Sequence, residues 1–339
     1  MQLSDFDFDL PPELIAQEAL ADRAASRMLV IDRRAGTLRD CAFRELPLFL
    51  RAGDCLVLND TRVFPSRLYG VRQGHTGRVE IFLVKPLSAD RTRWLALGRP
   101  GRKLLAGTLI EFSARLSGVI EEHREHGERV IGLRWTGCLD DALDEVGHVP
   151  LPPYIHRADD AGDRERYQTV YARERGSVAA PTAGLHFTPE VLAECAAAGA
   201  VEARVTLHVG LGTFESLHAE TVEVNKIHTE RFSIGAEAAL RIGAASRVVC
   251  VGTTAVRTLE TAYQRGGLAA MEGETDIFIY PGYRFGVAGA MVTNFHLPKS
   301  SLFVLVSAFA GRELMLEAYR HAVRERYRFF SYGDCCLIL

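Results

Sequence analysis

The chain has 339 residues, 47% of them hydrophobic and 24% charged, with a formal net charge of −3. That composition can bury a large core over more length than one domain usually takes, so a disordered chain is excluded and two domains are expected. The slightly acidic balance excludes binding of nucleic acid through the overall field, and any such contact must come from local basic patches. Arginine supplies 36 of the 40 basic residues, which a coding bias toward arginine and alanine explains. Seven cysteines are an odd number with no Cys-x-x-Cys pair, an argument against both a disulfide framework and a zinc ribbon. Residues 1–10 are acidic rather than basic and then apolar, and the longest apolar stretch, 302–310, is too short to span a bilayer, so a soluble cytoplasmic protein is expected.

In chain order, residues 27–31 and 37–43 read as strands around an Ala-Gly turn, and 54–58 as a buried strand running into Asn59-Asp60-Thr61-Arg62. From 66 to 136 the texture changes. Alternating segments 78–84, 93–97, 108–112 and 129–135 are separated by Gly and Pro-Gly turns, with no helical period longer than one turn. This predicts an all-β module, a small barrel holding both Trp94 and Trp135, and Leu151-Pro152-Pro153-Tyr154 reads as the return linker. Residues 177–188, Ser-Val-Ala-Ala-Pro-Thr-Ala-Gly-Leu-His-Phe-Thr, carry no charge and one titratable side chain, His186. They read as a loop, with Thr188 and Pro189 opening a helix that ends near Gly199. Beyond it, 201–207, 248–251 and 277–280 read as strands, and 236–243, 254–264, 301–310 and 312–327 as helices. The last helix carries a core stripe of Met315, Ala318, Tyr319, Ala322 and Val323, and Arg320, Arg324 and Arg328 fall at i, i+4, i+8. Cys335 and Cys336 suit strand packing. The alternation predicts an α/β core with a mixed sheet or barrel in residues 1–65 and 152–339, and an inserted β-barrel domain in 66–151.

Residues 248–260 run strand, glycine, two threonines, helix, a design whose free N–H groups and dipole suit an anion. Arg257 either joins that site or faces solvent. The run His208-Val-Gly-Leu-Gly-Thr puts Glu215 where a dinucleotide fingerprint needs its third glycine, and it is no P-loop. Its tight turn still lets backbone approach a flat base or ribose. His186, His208, His218, His228 and His296 lack zinc-ligand spacing, and His123-x-x-His126 sits among glutamates on a hairpin, so no metal is expected.

Six segments carry a family likeness: Gly53 to Arg62, Tyr167-Gln-Thr-Val-Tyr, the loop around His186, Leu207 to Phe214, Asp276-Ile-Phe-Ile-Tyr-Pro-Gly-Tyr-Arg-Phe and Thr293-Asn-Phe-His-Leu-Pro-Lys-Ser-Ser. With Tyr327 to Asp334, they make the chain from Phe6 to Leu339 resemble the S-adenosylmethionine:tRNA ribosyltransferase-isomerases of queuosine biosynthesis. The resemblance implies transfer and isomerisation of the ribosyl part of S-adenosylmethionine onto 7-aminomethyl-7-deazaguanine at the wobble position of a tRNA anticodon loop. Epoxyqueuosine forms, and adenine and methionine leave. It implies S-adenosylmethionine as co-substrate with no prosthetic group, no membrane partner and a monomer.

In that chemistry a sulfonium acidifies the C5′ hydrogens and an acid assists adenine departure, so two poised groups are needed. The titratable members of the matching segments are Asp60, His186, His208, Asp276, His296 and Asp334, with His186 the expected base. Thr253 and Thr254 are candidates for the methionine carboxylate, and Asn59, Arg62, Thr182, Gly184, Gly210, Gly212, Thr213, Arg257, Tyr280, Asn294 and Lys299 complete the expected binding set. The chain departs from the family pattern at Ala24, Leu211, Asn225, Ile227 and Gly289, so those positions are not expected to carry essential chemistry; the divergent stretch 215–226 puts a role for His218 in doubt. Two rival readings are an S-adenosylmethionine-dependent methyltransferase, whose glycine-rich turn is not evident, and a catalytically silent RNA-binding protein.

Overall fold

Residues 1–210 and 217–339 are described by the computed structural model. In chain order the first strands are β1 Arg27–Asp32, β2 Thr37–Ala42, β3 Asp54–Asn59 and β4 Thr61–Val63. Then come β5 Arg67–Arg72, β6 Arg78–Pro86, β7 Arg93–Arg99, β8 Leu109–Ser113, β9 Leu116–His123 and β10 Glu128–Trp135. The last are β11 Glu174–Ser177, β12 Val201–Leu207, β13 Glu230–Ile234, β14 Arg247–Val251, β15 Met271–Thr275, β16 Ala288–Asn294 and β17 Cys335–Ile338. The helices are α1 Leu139–Val146, α2 Asp163–Arg166, α3 Pro189–Ala197, α4 Ala236–Gly243, α5 Thr253–Gln264, α6 Ser301–Ala310 and α7 Arg312–Arg324.

Nine strands form one sheet in the order β15-β13-β12-β3-β14-β16-β17-β1-β2. At its centre β12, β3, β14 and β16 run parallel, whereas β17 runs against β16 and carries β1 with it. Strands buried on both faces read as continuous apolar runs, and β3 is one: Cys55 and Val57 pack among α4, α5, α6 and α7, Leu56 and Leu58 on the other face with α3 and Phe43. The consequence for function is geometric. The carboxyl ends of four parallel strands and the amino ends of β17 and β1 share one edge of the sheet, where open α/β sheets bind ligands.

The second layer of sequence, β5 to β10, closes as an antiparallel six-stranded barrel in the order β10-β7-β6-β5-β8-β9. Leu68, Ile81, Trp94, Ile110, Ile120, Ile131 and Leu133 fill it, and α1 covers one end with Leu139, Ala142 and Leu143. Beside the barrel, β4 and β11 pair in parallel as a separate two-stranded sheet. An α/β core with a mixed sheet plus an all-β barrel is the architecture expected from the sequence.

Three local expectations are corrected. Residues 277–280 form no strand, because the β13–β15 ladder ends at the pair Glu230–Thr275 and no neighbour among the described residues remains beyond it. The helix expected over 312–327 stops at Arg324 with Arg326 in the left-handed region (φ 54°), so Arg328 leaves the arginine stripe. Its backbone N–H donates instead to Asp334 Oδ2 (2.8 Å), and its guanidinium to the carbonyl of Glu18. The run 177–188 is not open throughout: Thr182–His186 wind into a 3₁₀ turn, after which Thr188 caps α3 by accepting the N–H of Val191 (3.3 Å).

Candidate functional site

At the shared edge of the sheet lies a cavity of about 60 Å³, bounded by Thr182 and Ala183, by Gly252, Thr253 and Thr254, by Thr293, Asn294 and His296, and by Tyr154, Tyr167 and Ser331. Each group arrives for a local reason. Gly252, at φ 88°, makes the turn from β14 into α5, and no side chain caps the helix that follows. The first-turn N–H groups of a 12-residue helix are therefore left open, and Thr254 Oγ1 has no partner either. Gly184 packs the 3₁₀ turn down: a Cβ there would lie 2.1 Å from the Tyr171 hydroxyl.

His296 follows β16 into the cavity wall. Its Nε2 shares a hydrogen bond with Thr293 Oγ1 (2.9 Å), its backbone N–H donates to the Tyr319 hydroxyl (3.1 Å), and burial pushes its pKa down to about 3. His186 stands one residue behind the wall. Nδ1 shares a hydrogen bond with Ser26 Oγ (2.9 Å), the ring packs on Phe43 at 5.2 Å, and burial lowers its pKa to about 4. Its Nε2 is directed at Asn294, yet neither Nε2 nor Asn294 Oδ1 closes a well-formed hydrogen bond. Both rings are thus neutral near pH 7, and the wall of the cavity holds polar atoms without a fixed charge.

The other expected residues divide by position. Asp334 is spent on the fold: Oδ1 accepts the N–H of Arg27 and Oδ2 that of Arg328, each at 2.8 Å, and burial raises its pKa. Asn59 is spent likewise on Leu207, taking its N–H and giving to its carbonyl, both at 3.0 Å. Asp60, its pKa raised by burial, accepts from Thr206 Oγ1 (2.7 Å), meets Arg173 Nη2 at 3.1 Å, and opens on a separate surface groove with Glu202 and Arg241. Asp276 and Arg62 are exposed, Tyr280 packs on Phe278 at 5.5 Å, and Lys299 pairs with Asp7 at 2.6 Å on the surface. Gly212 and Thr213, with Leu211 and Phe214, lie outside the described residues. Of the positions departing from the family pattern, Asn225 ties a turn, its amide donating to the carbonyls of Ala219 and Thr221.

A larger cleft of about 570 Å³ separates core from barrel and takes in His208, Gly210 and Glu230 from one side and Lys85, Arg124 and Glu128 from the other. His208, its pKa lowered by burial, shares a hydrogen bond with Thr61 Oγ1 (2.8 Å). Val209 lines both cleft and cavity, so one residue divides them. Glu230 was missed from sequence. It accepts the Gly210 N–H at 2.9 Å through Oε1 and pairs through Oε2 with Arg257, which is therefore neither at the helix mouth nor in solvent. The available signal was alternation: Glu230, Phe232 and Ile234 share the inward face of β13, and a carboxylate in that register is anomalous. Tyr154, Tyr167 and Ser331 were not among the expected site residues, although Tyr167 and Ser331 lie in segments that carry the family likeness. Among the described residues, no three of His, Cys, Asp and Glu converge as metal ligands.

An open helix terminus, a neutral imidazole and unsatisfied amide and hydroxyl atoms, all gathered at the carboxyl edge of an α/β sheet, define an enzyme site for a small polar ligand. Residues 3–338 match the family described as queuosine biosynthesis protein. The S-adenosylmethionine:tRNA ribosyltransferase-isomerase of Solibacter usitatus (strain Ellin6076) is 61% identical over 355 residues, with 100% of both chains covered. That of Symbiobacterium thermophilum (strain DSM 24528 / JCM 14929 / IAM 14863 / T) is 52% identical over 345 residues, again with 100% of both covered. The crystal structure of the S-adenosylmethionine tRNA ribosyltransferase from Thermotoga maritima is similar at a TM-score of 0.57 and 37% identity, over 99% of this chain and 100% of that one. The chain belongs to this queuosine biosynthesis family and is an enzyme of the S-adenosylmethionine:tRNA ribosyltransferase-isomerase type.

Proposed function

We propose that the enzyme transfers and isomerises the ribosyl part of S-adenosylmethionine onto 7-aminomethyl-7-deazaguanine at the tRNA wobble position, forming epoxyqueuosine and releasing adenine and methionine. The observation that supports this most is the convergence of the open α5 terminus, Thr182, Asn294 and His296 on one cavity, a single residue away from the core–barrel cleft. In this reading S-adenosylmethionine occupies the cavity and the wobble nucleotide enters through the cleft, with the barrel of the 66–151 insert gripping the anticodon arm. Small-molecule sites run to roughly 300–1,000 Å³, so a cavity of 60 Å³ has to open when the ligand enters. His296 is the one imidazole or carboxylate side chain among the described residues that bound the cavity, which makes it the nearest group for the C5′ proton. The enzyme works without a prosthetic group, as a cytoplasmic monomer; no helix among the described residues is long and apolar enough to cross a membrane.

Supplied with S-adenosylmethionine and tRNA bearing the aminomethyl-deazaguanine, and with no added metal, the purified protein is expected to release adenine and methionine in equal amounts, unaffected by EDTA. Chromatography of the small products checks it. S-adenosylhomocysteine as product would make the protein a methyltransferase, and activity lost in EDTA but restored by zinc would overturn the metal-free reading.

A further inference from the structure

Arg257 lies one helical turn beyond Thr253, at i+4 on the same face of α5, and is 7% exposed. Its guanidinium is only partly used. Nη1 pairs with Glu230, Nε donates to the carbonyl of Ile277 at 3.4 Å, and Nη2 is buried with no partner. A buried donor left unmade is costly and demands an explanation. Arg257 and Glu230 line a small pocket walled by Ile227, Ile279 and Leu305, and Leu302 separates that pocket from the cavity at the α5 terminus. Two pockets therefore lie along one helix face with a single leucine between them.

Resting on the reading above, we propose that the Arg257–Glu230 pair is the subsite for the α-amino-acid end of S-adenosylmethionine. That end is a zwitterion, and an arginine beside a carboxylate is its electrostatic complement. The free Nη2 donates to the methionine carboxylate, and a remaining lone pair on Glu230 accepts from the ammonium. Glu230 is the positioning residue. Its grip on Nη1 fixes the guanidinium plane, and its bond to Gly210 N–H ties that plane to backbone that borders the core–barrel cleft. The two methylene carbons of the methionine end then run from this pocket past Leu302, leaving the sulfonium and ribose at Thr253, Asn294 and His296.

The test compares S-adenosylmethionine with its decarboxylated analogue by calorimetric titration, a reading independent of turnover. Wild type is expected to bind the analogue about 10- to 100-fold more weakly, the span of a charge-assisted hydrogen bond. The paired variant Glu230→Gln/Arg257→Gln, which leaves no buried charge alone, should bind both ligands alike at the weaker level. Arg257→Lys keeps the pairing with Glu230 but has no second arm, and should lose most of the discrimination. Wild type that fails to discriminate overturns the proposal, as do variants that discriminate as wild type does, which would send the carboxylate to the Thr253–Thr254 terminus. Should S-adenosylmethionine bind with this pattern while no adenine is released, the reaction assignment fails and the subsite stands.

Discussion

Between pH 6 and pH 4 the protein is expected to lose roughly 5 kcal/mol of stability from two histidines alone, most steeply near pH 5. Burial lowers His186 to about 4 and His296 to about 3, whereas unfolded histidine titrates near 6.5. A base whose folded pKa is depressed contributes stability that is fully present above the unfolded pKa and is lost as pH falls toward the folded one. Near pH 5 the unfolded chain binds almost two protons that the folded chain does not. His208, also depressed by burial, acts in the same sense. Asp60 and Asp334 act in the opposite sense, since their raised pKa values favour the protonated folded form, and they temper the loss only at its acid end. Against a total of roughly 5–15 kcal/mol the effect brings the domain close to unfolding. Urea midpoints at pH 7, 6, 5 and 4 check it, and a curve flat across those values contradicts the buried neutral rings.

His296→Gln is expected to lower turnover by roughly 10²- to 10⁴-fold, the span for a lost acid or base, with S-adenosylmethionine affinity near wild type. Glutamine retains a polar atom for the Thr293 hydroxyl, 2.9 Å from Nε2 in the parent, so the fold should survive with a melting point within a few degrees. With a pKa of about 3, the ring stays in its base form throughout, and kcat should show no acid limb from this group between pH 5 and 8. His186→Gln is the companion. Its ring stands behind Asn294 rather than in the cavity wall, so under the proposed function a loss of only about tenfold is expected, well under that of a direct acid or base. If the two losses come out reversed, the proton transfer belongs to His186, and His296 orients the wall.

How far the sequence carried the structure depends on whether a feature was local. The α4 and α6 boundaries, the Thr188 cap and the barrel segments were legible because cap, period and turn chemistry lie within a few residues of each other. The strand expected at 277–280 failed for a non-local reason: Phe278 and Tyr280 favour a strand, but the partner ladder ends at Glu230. Arg328 was misplaced by one left-handed residue, Arg326, which no helical period registers. At the site, Thr253, Thr254, Asn294 and His296 were legible as polar residues at strand ends, and the structure brings them together. Asp334 and Asn59 occupy strand ends too, yet their polar atoms close backbone hydrogen bonds, a distinction made by partners distant in sequence. Glu230 alternates with Phe232 and Ile234, but that three-residue signal is short, and it is the pairing of β13 that fixes which of its faces points inward.

The claim on which the rest depends is that S-adenosylmethionine sits at the carboxyl edge of the sheet, against α5. Hydrogen–deuterium exchange with and without saturating S-adenosylmethionine tests it on the whole chain. Slowed exchange is expected in the turn at 180–184, at 252–256 where the helix N–H groups are open, and at 293–296, with the barrel strands unchanged. Slowing confined to the groove of Asp60, Arg173 and Glu202, or to the barrel, would contradict it.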